Sequence, residues 1–320
     1  MDIARNFQQL SYDRLSARNR QPTMLAVIIV SYNSAGVLPG LLDSLKAGLD
    51  GVDNFEVIVV DNESQDGSAT LARAHPAVDR VIETGCNVGY SAGINAASAA
   101  TSAMADLLIL NPDIRLARGS VRILQAALLR SQRTGIAVPS IYDETGKIAK
   151  SVRREPSILT AWSEAILGGT RAAKLGIGEI VEHPALYRNG GKIAWASGAA
   201  LLISGRVREA VGDWDESFFL YSEEVDYFQR TRAAGYDILY VPQARSVHIG
   251  GDYRSSSFLT NLMMANRIMY YQRHHDRCSS MVFRLGLVIG ECMRLISPKS
   301  RTSAIAAALG FWSGRRKCKP

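Results

Sequence analysis

The sequence predicts an α/β fold with a mostly parallel central sheet flanked by helices and followed by a C-terminal helical amphipathic appendage. Short, continuous apolar runs rich in β-branched residues alternate with segments of helical periodicity. This alternation is typical of parallel strands joined by right-handed helical crossovers. Polar residues follow directly after several of the apolar runs. Because ligands of such sheets bind beyond the carboxyl ends of the strands, these polar residues mark a candidate site.

The elements are predicted in chain order from the apolar pattern. Predicted strands cover Leu25 to Val30, Phe55 to Val60, Val78 to Ile82, Leu107 to Leu110, Trp195 to Ile203 and Ile238 to Val241. Predicted helices cover Leu38 to Leu45, Ser157 to Lys174 and Phe218 to Ala234. Apolar spacing of three and four residues distinguishes the helices from the strands. Gly235 is the expected C-cap of the last of these helices.

The composition is that of a globular protein with an uneven charge. Of the 320 residues, 47% are hydrophobic and 21% are charged, and the net charge is +7. Residues 267–320 hold eleven Lys and Arg against two acidic residues. A nucleic-acid-binding protein usually carries its basic surface across the recognition domain, so no nucleic-acid partner is expected. A basic tail instead favours an anionic membrane surface as the partner.

The C-terminal segment is amphipathic. Between Val282 and Ile296, the polar residues Arg284, Glu291 and Arg294 fall within one arc of roughly 80° at ~100° per residue. The segment is shorter than the ~20 apolar residues that span a bilayer, so we predict a helix lying in the membrane interface. The alternatives are packing on the rest of the chain or in a homodimer. The first 23 residues resemble no secretory signal or anchor, which predicts a cytoplasmic protein associated peripherally with the inner face of the cell membrane.

An acidic loop follows the second predicted strand. Its sequence is Asp61-Asn-Glu-Ser-Gln-Asp-Gly-Ser68. Asx turns and a helix N-cap explain Asp66 or Ser68 about as well as ligand binding does. Asp61 at the strand tip is better explained as an acceptor for the base or ribose of a nucleotide. The chain lacks GxGxxG and its Gly89-Tyr-Ser-Ala-Gly93 is a weak signal, so a dinucleotide-binding fold is disfavoured.

Asn111-Pro-Asp113 follows the fourth predicted strand and places Asp113 at the mouth of the sheet. A hard divalent ion held by one or two carboxylates can neutralise a diphosphate leaving group. His248, after the last predicted strand, could complete the shell of an ion held by Asp113. A turn with an acidic N-cap explains a lone Asn-Pro-Asp equally well, and a lone histidine is more often structural.

The segment from Phe218 to Asp226 places three acidic residues within four positions, beside several aromatic residues. An exposed helix start would have the same composition, because carboxylates favour the positive end of a helix. The aromatic neighbours favour a partly buried setting instead. There a carboxylate with a raised pKa can act as a general base and deprotonate an acceptor hydroxyl.

Together these motifs resemble glycosyltransferase family 2, and within it the bacterial rhamnosyltransferase-like branch that acts on lipid-linked or cell-surface glycans. The resemblance covers roughly residues 24–275. It is carried by Val30-Ser-Tyr-Asn33, Val59-Val-Asp-Asn62 with Ser-x-Asp-Gly-Ser68, Asn87-x-Gly89, Asn95, Leu110-Asn-Pro-Asp113, Ser197-Gly198-Ala199 and Asp215-Glu-x-Phe-Phe-x-Tyr-x-Glu-Glu-x-Asp226. Each piece is weak, but the combination is highly specific.

The resemblance implies a GT-A fold, a UDP- or dTDP-sugar donor, Mg²⁺ or Mn²⁺ and inversion at the anomeric carbon. It makes Glu224 the catalytic base with Asp226 as the alternative, and Asp113 the metal-binding aspartate; His248 is the second metal ligand that its position predicts. The implied nucleotide-sugar-binding residues are Ser31, Asn33, Asp61, Asn87 and Asn111. The implied acceptor-side residues are Trp195, Ser197, Gly198 and Glu223. Two positions depart from the family pattern, because aspartate is commoner at 224 and many relatives have a second aspartate at 111.

The resemblance also divides the chain into parts. Residues 1–23 form a polar extension, 24–115 the nucleotide-binding half, 116–275 the acceptor half and 276–320 the basic amphipathic helices. The expected reaction is transfer of L-rhamnose from dTDP-rhamnose, or otherwise of a UDP-hexose, to a glycan or polyprenyl-linked acceptor.

Two alternatives stay open at this stage. One is a sugar-phosphate nucleotidyltransferase, although the loop after the first strand lacks the expected Lys or Arg. The other is a non-catalytic nucleotide-sugar-binding module that recruits partners to a membrane.

Overall fold

The computed structural model describes residues 24–250, 256–296 and 304–310. The polar extension predicted over residues 1–23 lies outside the described residues, as do 297–303 and 311–320 of the predicted C-terminal helices. The strands are β1 (Leu25–Ser31), β2 (Phe55–Asp61), β3 (Arg80–Glu83), β4 (Asp106–Leu110), β5 (Ile114–Leu116), β6 (Thr134–Tyr142), β7 (Val152–Arg153), β8 (Gly191–Lys192), β9 (Trp195–Ala196), β10 (Ala200–Ile203) and β11 (Asp237–His248). The helices are α1 (Leu38–Gly48), α2 (Ser68–Ala74), α3 (Tyr90–Ala99), α4 (Ser120–Leu129), α5 (Ile158–Leu167), α6 (Gly169–Lys174), α7 (Pro184–Asn189), α8 (Gly205–Val211), α9 (Glu223–Ala233), α10 (Ser257–His274), α11 (Arg277–Ile296) and α12 (Ile305–Ala308).

The main sheet is mostly parallel, as the sequence predicts. Its strands lie in the order β3-β2-β1-β4-β10-β6-β11-β5, with β8 paired to β11. β1, β2, β3 and β4 pair in parallel, and so do β6 and β11, whereas β10 runs antiparallel between β4 and β6. The carboxyl ends of the parallel strands therefore meet at one edge of the sheet. Ser31 and Asp61 end β1 and β2 directly opposite each other.

Both faces of the sheet are covered, which explains why its strands are continuous apolar runs. Along β1, alternate residues enter two different cores because successive side chains of a strand point to opposite faces. Ile28 packs on the face that holds Ile94 of α3, and Ile29 packs on the face that holds Leu41 of α1. Gly93 brings α3 close to β1, since a Cβ there would lie 2.8 Å from a methyl carbon of Val30.

Two segments predicted as single elements are each divided. The helix predicted over Ser157 to Lys174 is interrupted at Gly168, whose φ of 77° is not helical, and it forms α5 and α6. The strand predicted over Trp195 to Ile203 forms β9 and β10, which belong to different sheets. The apolar pattern continues through both interruptions, so periodicity alone does not reveal them.

The last strand is longer than predicted. β11 continues past Pro242 through an irregularity between Val241 and Arg245 and ends at His248. Its final residues pair with β5, so that His248 lies opposite Ile114. This extension places His248 next to the loop that follows β4.

The C-terminal helices pack on the rest of the chain. The Phe283 ring of α11 stacks on Tyr271 of α10 with ring centroids 3.9 Å apart. Trp162 of α5 donates its indole N–H to the backbone oxygen of Val282 at 3.0 Å. Glu291 is buried, and its carboxylate accepts from the backbone N–H of Ala304 at 2.8 Å, which stabilises a carboxylate inside the protein. Part of the polar arc predicted for this helix therefore faces protein.

Candidate active site

The first part of the site lies at the carboxyl ends of β1 and β2. Asp61 is 2% exposed, and its Oδ2 accepts from the backbone N–H of Ser64 at 2.8 Å. Its Oδ1 and the Oγ of Ser31 are buried and have no hydrogen-bond partner in the described part of the chain. Buried polar atoms usually have a partner, so two unsatisfied atoms side by side at this edge indicate a place for a polar ligand.

Asn33 lies at the same edge but holds two loops together. Its Oδ1 accepts from the backbone N–H of Gln65 at 2.8 Å, and its own N–H donates to Ser64 Oγ at 2.9 Å. Asp66 similarly accepts from Ala35 N at 2.8 Å. Although partial burial opposes it, hydrogen bonding, chiefly from Ser68, lowers the pKa of Asp66. Asp66 and Ser68 thus join the loop after β2 to the loop after β1, as Asn33 does, whereas Asp61 keeps one oxygen available to a ligand.

Asn111 connects the ends of β4 and β10. Its backbone N–H donates to Ala199 O at 2.8 Å, and its side-chain Oδ1 accepts from the hydroxyl of Tyr90 at 2.7 Å. Burial first, and then the charges of Glu223, Glu224 and Asp113, raise the pKa of Tyr90 well above its usual value. The Tyr90 hydroxyl therefore stays neutral and lies between the Asn-Pro-Asp loop and the acidic pair.

Asp113 and His248 come together as the sequence predicts. His248 Nε2 lies 2.9 Å from Asp113 Oδ2, and the backbone N–H of Ile249 donates to Asp113 O at 2.9 Å. Asp113 Oδ1 is buried without a partner among the described residues. Within residues 24–250, 256–296 and 304–310, no cluster of three or more His, Cys, Asp or Glu side chains could hold an ion. Two protein ligands completed by diphosphate oxygens and water fit Mg²⁺ or Mn²⁺.

The Asn87-x-Gly89 and Asn95 motifs anchor the loop that precedes the acidic pair. Asn87 Oδ1 accepts from the backbone N–H of Gly89 at 3.1 Å. Gly89 has a φ of 92°, and a Cβ there would lie 2.5 Å from Phe219 O. The side chain of Asn95 exchanges hydrogen bonds of 2.9 Å with the backbone of Trp214. The structure thus places these glycine and asparagine residues in packing contacts of α3, and the Asn87 side chain in a local turn.

Glu223 and Glu224 begin α9 immediately after an unusual turn. Tyr221 and Ser222 both have left-handed backbones, with φ of 72° and 70°. Glu223 Oε2 and Glu224 Oε2 are buried without partners within the described ranges. Burial raises the pKa of Glu224 to about 7, against hydrogen bonds from backbone N–H groups at the helix start. Burial and the neighbouring Glu224 raise the pKa of Glu223 well above its usual range.

Asp226 is placed differently from the other two acids. It is 3% exposed, and its Oδ2 accepts from Arg230 Nε at 2.7 Å. Its Oδ1 lies 2.8 Å from His274 Nε2. Both carboxylate oxygens are engaged, so this carboxylate is arranged to hold α9 against α10 rather than to accept a proton from a substrate.

Of the predicted acceptor-side residues outside α9, Gly198 is the one that the structure places beside Glu224 in the described ranges. A Cβ at Gly198 would lie 3.4 Å from Glu224 Cβ, so the absent side chain leaves room for the carboxylate stem. Ser197 is half-buried, and its N–H donates to Ser151 O at 3.1 Å. Trp195 is mostly buried, and its indole donates to Arg154 O at 2.8 Å. Gly198 thus lies at the site, whereas the Trp195 side chain is engaged with the backbone of Arg154.

Sequence reasoning missed Tyr90 and Asn266. Tyr90 lies inside the Gly89–Gly93 segment, a weak signal for a dinucleotide-binding fold, and its aromatic side chain is the feature of this segment that could indicate a role. Asn266 donates to the backbone oxygens of Leu220 and Tyr221. Nothing in its local sequence distinguishes it from other helical polar residues.

Comparison with known proteins shows the family of this chain. The family model described as "Glycosyl transferase family 2" matches residues 26–189. The N-acetylglucosaminyl-diphospho-decaprenol L-rhamnosyltransferase of Mycobacterium tuberculosis (strain ATCC 25618 / H37Rv) is 31% identical over 243 residues, covering 70% of this chain and 76% of the relative. Rhamnosyltransferase WbbL of Escherichia coli (strain K12) is 23% identical, covering 80% and 98%.

Solved structures show the same fold. The mannosyltransferase PcManGT from Pyrobaculum calidifontis, in complex with GDP-Man and Mn²⁺, has a TM-score of 0.54 at 15% identity and covers 94% of this chain and 86% of its own. Two longer chains that share the fold are matched over only 44% and 47% of their own length. Divalent metal ions thus occur in proteins of this fold. The chain has the GT-A fold and belongs to glycosyltransferase family 2, as an enzyme of its rhamnosyltransferase-like branch.

Proposed function

We propose that this glycosyltransferase transfers L-rhamnose from dTDP-L-rhamnose to an N-acetylglucosaminyl-diphospho-polyprenol, with inversion at the anomeric carbon. The observation that carries the reaction type is Glu224, whose side chain lies against Gly198 and whose pKa burial raises to about 7. The names of the M. tuberculosis and E. coli relatives support the sugar, and the first also supports the acceptor.

On the donor side, the nucleotide would bind at the ends of β1 and β2. Asp61 Oδ1 would accept a hydrogen bond from the base or ribose of the nucleotide, and Ser31 Oγ would donate one to it. Asp113 and His248 would hold the divalent ion, which when bound neutralises charge on the departing diphosphate. Residues 24–115 form the nucleotide-binding half and 116–275 the acceptor half in this proposal.

On the acceptor side, the reaction is a single displacement. Glu224 accepts the proton of an acceptor hydroxyl while that oxygen forms the new bond to the anomeric carbon. The bond from the anomeric carbon to the diphosphate oxygen breaks, and the electron pair leaves with the nucleoside diphosphate. Glu223 stays protonated beside Glu224, because two buried carboxylates in contact do not both ionise near neutral pH.

The donor assignment is tested by measuring thermal stabilisation with dTDP-rhamnose, UDP-galactose, UDP-glucose, UDP-GlcNAc and GDP-mannose, each with and without Mn²⁺. We expect dTDP-rhamnose alone to raise the melting temperature strongly, and only when Mn²⁺ is present. A metal-dependent shift with a different donor would replace rhamnose in the proposal. Equal shifts with and without Mn²⁺ would remove the metal from it.

The raised pKa of Glu224 gives the reaction a defined pH dependence. A general base must be deprotonated to act. With a pKa of about 7, roughly a tenth of the enzyme has Glu224 deprotonated at about pH 6. We expect kcat/KM to rise about tenfold per pH unit below about pH 7 and to level off above it. A profile of kcat/KM against pH measures this. A rate that is flat from about pH 5 to 8 would exclude Glu224 as a base of this pKa.

We further propose that α11 binds an anionic membrane surface, where a polyprenyl-linked acceptor would reside. No helix within the described ranges is long and apolar enough to cross a membrane. The outer face of α11 nevertheless exposes apolar side chains, including Met281 at 72% and Leu285 at 51%. The exposed Arg277 lies one turn before Met281 on this face and complements an anionic headgroup layer.

The membrane proposal is tested by sedimentation with vesicles that contain anionic lipid. We expect the double substitution Met281→Glu and Leu285→Glu to weaken binding by at least about tenfold, because it removes apolar area and adds repelled charge. Leu129→Glu, at an exposed apolar residue of α4, is the matched control and should bind normally. Equal binding of both variants would contradict the assignment of α11.

A further inference from the structure

The backbone just before the acidic pair is held in an unfavourable conformation. Tyr221 and Ser222 are consecutive non-glycine residues with φ of 72° and 70°. A Cβ disfavours this left-handed region, so two such residues in a row persist only where the surroundings hold them. Because α9 begins at the next residue, this turn sets the direction from which Glu223 and Glu224 enter the site.

The side chain of Asn266 binds this turn from outside. Asn266 of α10 is 5% exposed, and its Nδ2 donates to Leu220 O at 2.9 Å and to Tyr221 O at 3.1 Å. An amide group has two donor hydrogens, so both are used on neighbouring carbonyl groups of the same turn. These contacts fix the orientation of the peptide units that lead into Ser222.

Asn266 is itself held firmly, because α10 is attached on several sides. The next residue, Arg267, forms a buried ion pair with Glu179 at 2.6 Å and a longer one with Glu164 at 3.3 Å. The stacking of Tyr271 on Phe283 joins the same helix to α11. These contacts hold α10 in place. A hydrogen bond from α10 can therefore keep residues 221–222 in their left-handed conformation.

We propose that Asn266 is a positioning residue for the acidic pair. By holding the Leu220–Tyr221 carbonyls, it keeps the strained turn closed and places the Glu224 carboxylate against Gly198, in line with an acceptor hydroxyl. Asn266 acts through the backbone and touches neither donor nor acceptor. The kinetic part of this inference rests on the proposed function, whereas its structural part does not.

The kinetic test replaces Asn266 with alanine. We expect kcat to fall on the order of 10–100-fold, because a small misplacement of a catalytic group is costly. The donor KM should change by less than about threefold, since the proposed donor residues Ser31 and Asp61 are positioned by β1 and β2 rather than by the turn before α9. Asn261→Ala is the matched control, because that amide on the same helix donates to Ser257 O of its own helix at 2.8 Å. The control should keep wild-type kinetics.

A rescue experiment separates positioning from a general loss of stability. Glycine adopts φ near +70° without a Cβ penalty, so Ser222→Gly reduces the need for the Asn266 contact. We expect Asn266→Ala with Ser222→Gly to regain at least about fivefold in kcat over Asn266→Ala alone, with Ser222→Gly alone as the reference. Asn266→Asp places carboxylate oxygens against two carbonyl oxygens and should be at least as damaging as alanine. No recovery in the double variant would overturn the proposal.

Hydrogen exchange provides a readout that needs no turnover. We expect the backbone amides of residues 220–226 to exchange faster in Asn266→Ala than in Asn261→Ala, with the rest of the chain unchanged. Unchanged exchange in this segment would contradict the positioning role, whatever the kinetics show. If the wild-type enzyme transferred no sugar at all, the proposed function would fail while this measurement would still decide the role of Asn266.

Discussion

Replacing Glu224 by glutamine is expected to lower kcat on the order of 10²–10⁴-fold while leaving donor binding nearly unchanged. Glutamine has the shape of glutamate but cannot accept the acceptor proton. Glu224 Oε2 has no partner in the described part of the chain, and the amide oxygen of glutamine can still accept from the backbone N–H groups at the helix start. The effect should therefore appear in the chemical step rather than in folding.

The measurement is kcat at saturating donor and acceptor, together with the dissociation constant of the donor. Glu209→Gln, an exposed glutamate of α8, is the matched control and should behave as wild type. Asp226→Asn distinguishes the two base candidates. It should lower the melting temperature by weakening the Arg230 and His274 contacts, with a smaller loss of kcat than Glu224→Gln. Near-normal kcat in Glu224→Gln would show that Glu224 is not the base.

The second large effect is expected from Asp113→Asn. The amide is neutral and a poor ligand for a hard divalent ion, so metal-dependent donor binding should weaken by at least about 10²-fold. The nearby His248 cannot compensate, because an imidazole alone does not supply the negative charge that Mg²⁺ or Mn²⁺ requires. Donor binding without metal should change little.

Calorimetric titration of the donor at several Mn²⁺ concentrations measures this effect. Asp53→Asn, at an exposed position before β2, is the matched control. If Asp113→Asn kept the wild-type metal dependence, the ion would have to be held elsewhere and the role of the Asn-Pro-Asp loop would be lost.

The sequence predicts the strand limits well where a strand consists mainly of buried apolar residues. In β1, β2 and β4, the central residues are apolar and buried, and the limits of these strands differ from the predicted ones by one residue. Prediction was less accurate where apolar residues continue through a change of direction. The division at Gly168 and the turn at residues 197–199 depend on backbone angles and pairing, which hydrophobic periodicity does not report.

For the site, sequence reasoning found the carboxylates but could not rank them. In the sequence, Glu224 and Asp226 are both acidic residues of the same segment and cannot be told apart as candidate bases. The contacts from Arg230 and His274 show that the Asp226 carboxylate is already engaged. Sequence reasoning also missed residues whose contacts join distant parts of the chain, because those contacts are visible only in the folded structure. Asn266 contacts its turn only after the chain has folded, because the two partners precede it in sequence by 46 and 45 positions.

The amphipathic pattern of α11 has two interpretations, packing on the rest of the chain and binding to a membrane. In the structure, one face of α11 is packed and the other is exposed. Phe283 and Leu287 pack into a core with α10, which the alternative of packing on the chain expected. Met281 and Leu285 stay exposed on the outer side, so the membrane association predicted from the basic tail stays a prediction.

The most direct test of the central claim is product analysis with dTDP-L-rhamnose, Mn²⁺ and a short-chain N-acetylglucosaminyl-diphospho-prenol. We expect a product that is heavier by one deoxyhexose, with inverted anomeric configuration by NMR, formed only when both metal and enzyme are present. Release of pyrophosphate from a nucleoside triphosphate and a sugar phosphate would indicate a nucleotidyltransferase instead. Donor binding without transfer to any glycan acceptor would contradict the account and leave a non-catalytic binding module.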